Sequence, residues 1–343
     1  MSTANPPHRT ERQPLALTRR LGISAVNNPR EVSLALAIAL FAAILAFIAP
    51  GFFGAENLRD LLMANMPVLI VAIGMLLVIL TGQIDISVGS QFAICSVLAG
   101  AAAKAGLPVV LAGAAACLAG ALMGAINGVL TARLRIPSIV VTLATMVALR
   151  DGLRWLTQGA WIEDLPPGFQ WFGLSQSASQ AVTIAAAAAL FGLAWWGLAG
   201  LAAGRAVYAA GSNPEAARLA GISPGGVIFS VFAITGALAG CAAFFNAVRF
   251  SQIPANAGIG LELQVIAAVI VGGASVNGGR GTVAGTLLGV VLLGMIGPAL
   301  TFLGISAWWE HALQGAIILA AVALDGLRAR PEKYAGIRAA QSA

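Results

Sequence analysis

Met66-Pro67-Val68-Leu69-Ile70-Val71-Ala72-Ile73-Gly74-Met75-Leu76-Leu77-Val78-Ile79-Leu80 runs fifteen residues without a charge, and Leu111 to Leu130 forms a second apolar run of twenty. A hydrocarbon core about 30 Å thick takes about twenty apolar residues of helix to cross. Inside lipid the backbone must satisfy its own hydrogen bonds, which leaves helices or a closed barrel. Barrel strands are short and alternate apolar with polar residues. These runs are long and apolar on every side, so they read as helices.

The whole chain has the same character. Of its 343 residues 59% are apolar and only 9% charged, against about 25% charged in a soluble domain. So few charges cannot cover a water-facing surface. Ten apolar segments are legible, at roughly 32–49, 61–80, 85–103, 108–131, 137–156, 178–199, 226–248, 263–276, 282–303 and 308–325. The eighth is short for a crossing and reads as re-entrant or tilted, so eight spans stand as the alternative to ten. The fold class is an all-α polytopic membrane protein.

Net charge is +6, carried almost wholly by arginine in the pieces between segments. That pattern is membrane topology rather than nucleic-acid binding. With the N-terminus inside and the segments alternating, the inside pieces hold fourteen Lys and Arg and the outside pieces five. Both termini are therefore expected in the cytoplasm. The organisation read this way is a polar N-terminal tail (1–31), a membrane domain (32–325) with a cytoplasmic loop (204–226), and a C-terminal tail (326–343). Cys95, Cys117 and Cys241 lie in apolar stretches without CxxC spacing or neighbouring histidine, and read as small interior residues. Stripes of small residues, Gly120/Gly124/Gly128, Gly236/Gly240 and Gly281/Gly285/Gly289, let backbones approach closely.

Four stretches carry chemistry or exclude it. In the loop 204–226, Ser212 and Glu215 have capping-box spacing, Pro214 suits a first turn, and Gly221 suits the residue past a helix end. The expectation is a two-turn helix outside the membrane, too short to be stable alone and sensible only if docked on something. In Thr81–Ser90, Asp85 followed by Ser87 reads either as a helix start, where backbone N–H groups receive a carboxylate, or as a polar lining of a solute path. Asn277–Thr282 is glycine-rich, but neither Lys104 nor Lys333 gives the Lys-Ser/Thr of a phosphate loop. It reads as a tight turn, and the chain has no recognisable nucleotide site. Gly221-Ile222-Ser223-Pro224-Gly225 matches the G-x-S-x-G of some hydrolases. The histidines are His8, in the tail, and His311, which falls on the side opposite Ser223, so the match is weak and the hydrolase reading is set aside. No metal-ligand spacing is present either.

At these residues the chain resembles the permease subunits of bacterial ABC importers for sugars, of the ribose, xylose, rhamnose and autoinducer-2 type. Thr81–Ser90 is similar to the family's TGGIDLSVGS, with Gln83 where Gly is usual. Asn127–Leu130, Arg135–Pro137 and Val141–Thr145 are similar to its NGxL…RIPxFIVTLGT. Gly204–Gly211 through Ala220–Ile222 is similar to its GRxxYAxGGNxxAAxxxGI, and Gly260–Leu263 through Gly285 to its GxELxxIAAxVIGGxSxxGGxGxxxG. Trp161–Pro166 and Ile305–Trp309 resemble external loops of the autoinducer-2 and rhamnose permeases. The four motifs, in order, cover about residues 50 to 325.

The resemblance implies a translocation subunit without covalent chemistry or a cofactor. It implies two permease subunits, identical or related, forming the pore, two separate ATPase subunits beneath them, and a periplasmic solute-binding protein. The short helix would be the coupling element, built from Ser212, Asn213, Glu215, Ala217, Arg218 and Gly221. Asn65, Asp85, Ser87, Ser90, Asn127, Asn246 and Gln264 are candidate residues of the solute path. The alternative is an ion-coupled secondary carrier, which would place an ionisable residue at mid-membrane. Its candidates, Asp85, Asp151, Glu262 and Glu310, fall near segment ends.

Overall fold

A computed structural model describes residues 29–306, 308–317 and 319. The N-terminal tail up to residue 28, the C-terminal tail, and the far part of the segment 308–325 lie outside the described residues, while residues 29–31 open the first helix. All the regular secondary structure described is helical, apart from one isolated antiparallel bridge between Ile162 and Ile253. The helices are α1 (Pro29–Ile48), α2 (Ala55–Leu80), α3 (Val88–Lys104), α4 (Val109–Ala132), α5 (Ser138–Thr157), α6 (Gln176–Gly200), α7 (Ala202–Ser212), α8 (Pro214–Leu219), α9 (Pro224–Ala247), α10 (Leu261–Val271) and α11 (Val283–Phe302). Residues 309–317 begin a further helix.

Among the described residues six helices are long and apolar enough to cross a membrane: α1, α2, α4, α6, α9 and α11. Helix α5 has the length, 20 residues, but carries Arg150, Asp151 and Arg154. Helices α3 and α10 are shorter, at 17 and 11 residues. Eleven residues of α-helix rise about 16 Å, half of the hydrocarbon core.

Helix α2 is the axis of the bundle. From Met66 to Leu80 every residue except Leu77 is buried, because α6, α9, α10 and α11 all pack on it. Pro67 lies inside it and Pro298 inside α11. Such breaks are tolerated in membrane helices, where neighbours satisfy the freed carbonyls. Helix α1 is peripheral, with Leu36, Leu40 and Phe47 all exposed.

The small-residue stripes are used within the chain. A Cβ added at Gly120 would strike the Gly236 carbonyl, and one at Gly236 the Gly120 carbonyl. Gly124 meets Phe232 and Gly236, and Gly240 meets Ala116. Helices α4 and α9 are thus pressed backbone to backbone over most of their length. Likewise Gly285 lies against Gly272, and Gly289 against Ala268, joining α10 to α11. In lipid no hydrophobic force drives helices together, so close packing of this kind supplies the attraction.

One end of the bundle gathers the turn at Gly82, the loop 133–137, α7 and α8, and the turn 275–281. Gly279 N–H donates to the Leu80 carbonyl (2.8 Å), and the Tyr208 hydroxyl donates to the Gly281 carbonyl (2.8 Å). Gly278 abuts Gly82 N and Gly211 O so closely that a side chain there would collide with both. The glycine run 278–281 is therefore a tight turn, with φ near +84° at Gly278 and +72° at Gly279. The opposite end holds the Ile162–Ile253 bridge.

Candidate coupling element and buried polar site

Helix α8 is a six-residue helix separated from α7 by one extended residue, Asn213. The Asn213 Oδ1 accepts from the N–H groups of Glu215 (3.1 Å) and Ala216 (3.0 Å). This corrects the capping-box reading. Ser212 is the last residue of α7 and its hydroxyl donates to the Tyr208 carbonyl (2.6 Å), so it is not free to cap α8. Pro214 takes the first helical position, and Gly221, at φ +80°, follows the helix end in the left-handed region. Glu215 and Arg218 point outward, with their charged ends 4.0 Å apart.

Ala217 is only 3% exposed and faces the bundle, so its side chain is not on the outer surface of α8. Its neighbour Leu219 is 88% exposed. Sequence reasoning missed Leu219, because one leucine in a short amphipathic turn carries no periodicity to fix its face.

The second site lies between the same end and the bundle interior. After α2 the chain turns at Gly82, passes without regular structure through Gln83–Asp85 and turns again at Ile86–Ser87, and α3 begins at Val88 rather than at Asp85. Asp85 is fully buried. Its Oδ1 accepts from Ser87 N–H (2.9 Å) and from the Ser87 hydroxyl (2.6 Å), and its Oδ2 accepts from Gln91 Nε2 (3.3 Å). The Ser87 hydroxyl also accepts from Gln91 Nε2 (2.7 Å) and from Asn127 Nδ2 (2.8 Å). Among the described residues no basic side chain pairs with Asp85. Both carbonyl oxygens of this cluster, Gln91 Oε1 and Asn127 Oδ1, are buried without a donor.

Of the candidate path residues, Asp85, Ser87 and Asn127 therefore come together. Ser90 is buried beside them, but its hydroxyl donates to the Met146 carbonyl on α5 (2.9 Å). Asn65 lies apart on α2, donating to the Leu61 carbonyl and packed against Gly294. Asn246 is on the last turn of α9 and Gln264 on the first turn of α10, both half-buried. Gln91 was missed; it stands four residues from Ser87 on one helix face, the spacing that makes such pairs meet.

The residues of the hydrolase motif and of the carrier alternative can be placed. Ser223 caps α9, its hydroxyl accepting from Gly226 N–H. His311 lies against Gly260, beyond the other end of α9. The 24 residues of α9 put about 36 Å between them, so His311 does not reach Ser223. The carboxylates of Asp151 and Glu262 are engaged by Arg154 (3.5 Å) and Arg150 (3.2 Å).

Residues 57–322 match the family described as branched-chain amino acid transport system / permease component. The chain belongs to this permease family. It is 36% identical over 299 residues to the autoinducer 2 import system permease protein LsrC of Enterobacter sp. (strain 638), covering 87% of each chain. It is 35% identical over 297 residues to the ribose import permease protein RbsC of Escherichia coli (strain K12), covering 84% of this chain and 92% of the relative. No solved structure matches the chain. The bundle is thus the multi-pass translocation subunit of an import system, and the sites above belong to a permease rather than to an enzyme.

Proposed function

We propose that this chain is the inner-membrane permease of an ATP-driven importer for a small polyhydroxylated solute, of the ribose, rhamnose, xylose or autoinducer-2 kind. The observation that carries the coupling mechanism is α8. A two-turn helix capped at both ends, with an apolar side chain standing in solvent, has the surface of a docking element. Its seat is mechanically connected, since α7 interlocks through Gly211 with the turns at Gly82 and Gly278. Movement of a docked ATPase reaches the ends of α2 and α10 directly, and the irregular stretch leading to Asp85 lies next along the chain. The expected partners are ATPase subunits on α8, a second permease subunit, identical or related, and a periplasmic binding protein at the opposite end.

The reading further takes ten spans, both termini in the cytoplasm, and a membrane domain flanked by two polar tails. The gathering of Arg133, Arg135, Arg205, Arg218 and Arg280 at the α8 end supports that orientation. Asp85, Ser87 and Asn127, joined by Gln91, form the polar core next to the coupling seat. We assign them to the movement of the α2–α3 connection, with Ser90, Asn65, Asn246 and Gln264 as further path residues.

The test is purification of the tagged chain from native membranes in mild detergent, followed by identification of what accompanies it. Recovery of an ATPase, and ATP-dependent uptake by the reconstituted complex, is the expected result. A chain that comes alone and moves solute on an ion gradient would make it a secondary carrier instead.

A further inference from the structure

Helix α5 is tied to the bundle along one stripe. The Ser138 hydroxyl accepts from Ile84 N–H (3.2 Å), the Thr142 hydroxyl donates to the Ile84 carbonyl (3.3 Å), and the Met146 carbonyl accepts from Ser90. One turn further along the same stripe, Arg150 meets Glu262 at the start of α10 (3.2 Å). Positions four apart share a helix face, so this stripe points inward throughout. Val141 and Leu153, off this stripe, are also buried, and the rest of α5 is open. Val147, Ala148, Asp151 and Arg154 are all exposed.

The exposed surface is apolar over Ile139, Val140 and Leu143, as a lipid face would be, and turns charged at Asp151 and Arg154; this second half is not a lipid face. The 20 residues of α5 rise about 30 Å, one hydrocarbon thickness. Asp151 lies six residues before the end, about 9 Å inside. Charged side chains at such depth face water-filled cavities or protein, not acyl chains.

The Arg150–Glu262 pair stands where two short helices meet. Gly89, at the start of α3, abuts the Gly258 carbonyl and the Glu262 carboxylate so closely that any side chain there would collide. Each helix is entered by an irregular stretch, and irregular backbone at membrane depth is tolerated where it is buried or lines a water-filled cavity. Glu262 is 6% exposed, and its Oε2 has no donor. A buried carboxylate oxygen without a donor is an acceptor lacking its ligand.

We propose that Arg150 and Glu262 form the hydroxyl-binding constriction of the solute path, and that the α5 face carrying Asp151 and Arg154 lines its aqueous approach. The ligand class is a neutral polyol. The guanidinium donates to a hydroxyl oxygen and the carboxylate accepts a hydroxyl hydrogen, both charge-assisted, and the pair has no net charge to attract an ion. Gly89 covers Oε2 here, so that oxygen is offered to solute as α3 and α10 part. The inference rests on the importer reading and adds to it the residues that contact solute.

The experiment uses the full complex in vesicles, with Cys95, Cys117 and Cys241 replaced by Ala. Val147→Cys and Ala148→Cys are labelled with a membrane-impermeant maleimide, beside Leu40→Cys and Leu122→Cys on exposed apolar faces of α1 and α4. Maleimide reacts with thiolate, which forms in water and not in lipid. The α5 positions are expected to label at least tenfold faster; equal rates overturn the aqueous face. In parallel, Glu262→Gln is expected to raise the KM of uptake at least tenfold, with Glu262→Asp between, for whichever of ribose, rhamnose, xylose and autoinducer 2 the parent complex takes up. An unchanged KM removes the pair from solute contact. Absence of ATP-driven uptake by the parent complex would instead defeat the importer reading, while the labelling ratio still decides whether α5 meets water.

Discussion

Leu219 stands 88% exposed on a helix of six residues. A helix this short has no stability to spare, and an apolar side chain held in water at its tip gains only if a partner covers it. Leu219→Glu is therefore expected to leave membrane insertion and thermal stability unchanged while lowering ATPase recovery in co-purification at least tenfold. Full recovery would place docking elsewhere. Ala217, facing inward, behaves differently. A larger residue there overpacks a filled site, which costs about 1–3 kcal/mol, so Ala217→Arg should lower the melting temperature of the purified permease as well as coupling. Asn213→Ala removes two capping hydrogen bonds and should cost about 1 kcal/mol, with Asn213→Asp or Ser restoring most of the loss in a thermal unfolding series. These side chains also mark how far sequence reading reaches. Pro214 and Gly221 announce their positions because only their own backbone chemistry matters. Ser212 and Asn213 both suit a cap, and the choice between them was made by α7, which continues through Ser212 and occupies its hydroxyl. The inward face of Ala217 depends on where α8 lies, which no local pattern contains.

Helices α4 and α9 touch backbone to backbone at Gly120, Gly124, Gly236 and Gly240. Bulk at Gly236 would collide with both the Gly120 carbonyl and Gln91 Oε1, moving α9 and the polar cluster together. Gly236→Leu is expected to destabilise the permease by about 1–3 kcal/mol and to reduce uptake more than Gly192→Leu, a substitution on α6 where nothing lies within 4 Å. Equal melting temperatures for the two variants would count against this contact as a determinant of the bundle. At this scale the apolar periodicity was informative: the long spans stand close to where hydropathy puts them, since lipid fixes their length. The junctions were not legible. Asp85 was open between cap and path because its partners Gln91 and Asn127 come from later in the chain. Arg150 and Glu262 read as unrelated charges because 112 residues separate them, and only the shortness of α10 hinted that a crossing was interrupted there.

The number of crossings turns on α10, whose 11 residues rise about 16 Å and cannot cross a 30 Å core alone. Its flanks supply the rest. On one side Ile253 pairs with Ile162, and on the other Gly279 bonds to Leu80 beside α7. The chain from 253 to 279 therefore joins the two ends of the bundle, as a half-helix extended by irregular backbone at both ends. If α10 were re-entrant, both flanks would lie on one side of the membrane, and every later segment would reverse its orientation. Single cysteines at Ser251 and Asn277 separate the cases. In intact spheroplasts an impermeant thiol reagent is expected to label position 251 and not 277, and in inverted vesicles 277 and not 251. A fluorescent-protein fusion after Ala343 should then fluoresce, the outcome expected if the excess of arginine holds the C-terminus in the cytoplasm. Labelling of both cysteines from one side would remove one crossing, place the C-terminus outside if a further span follows α11, and set the charge bias against the fold. The proposed alternation of spans, the gathering of arginines at the α8 end and the proposed docking on α8 all predict the first outcome, because an ATPase can dock on α8 only where ATP is available.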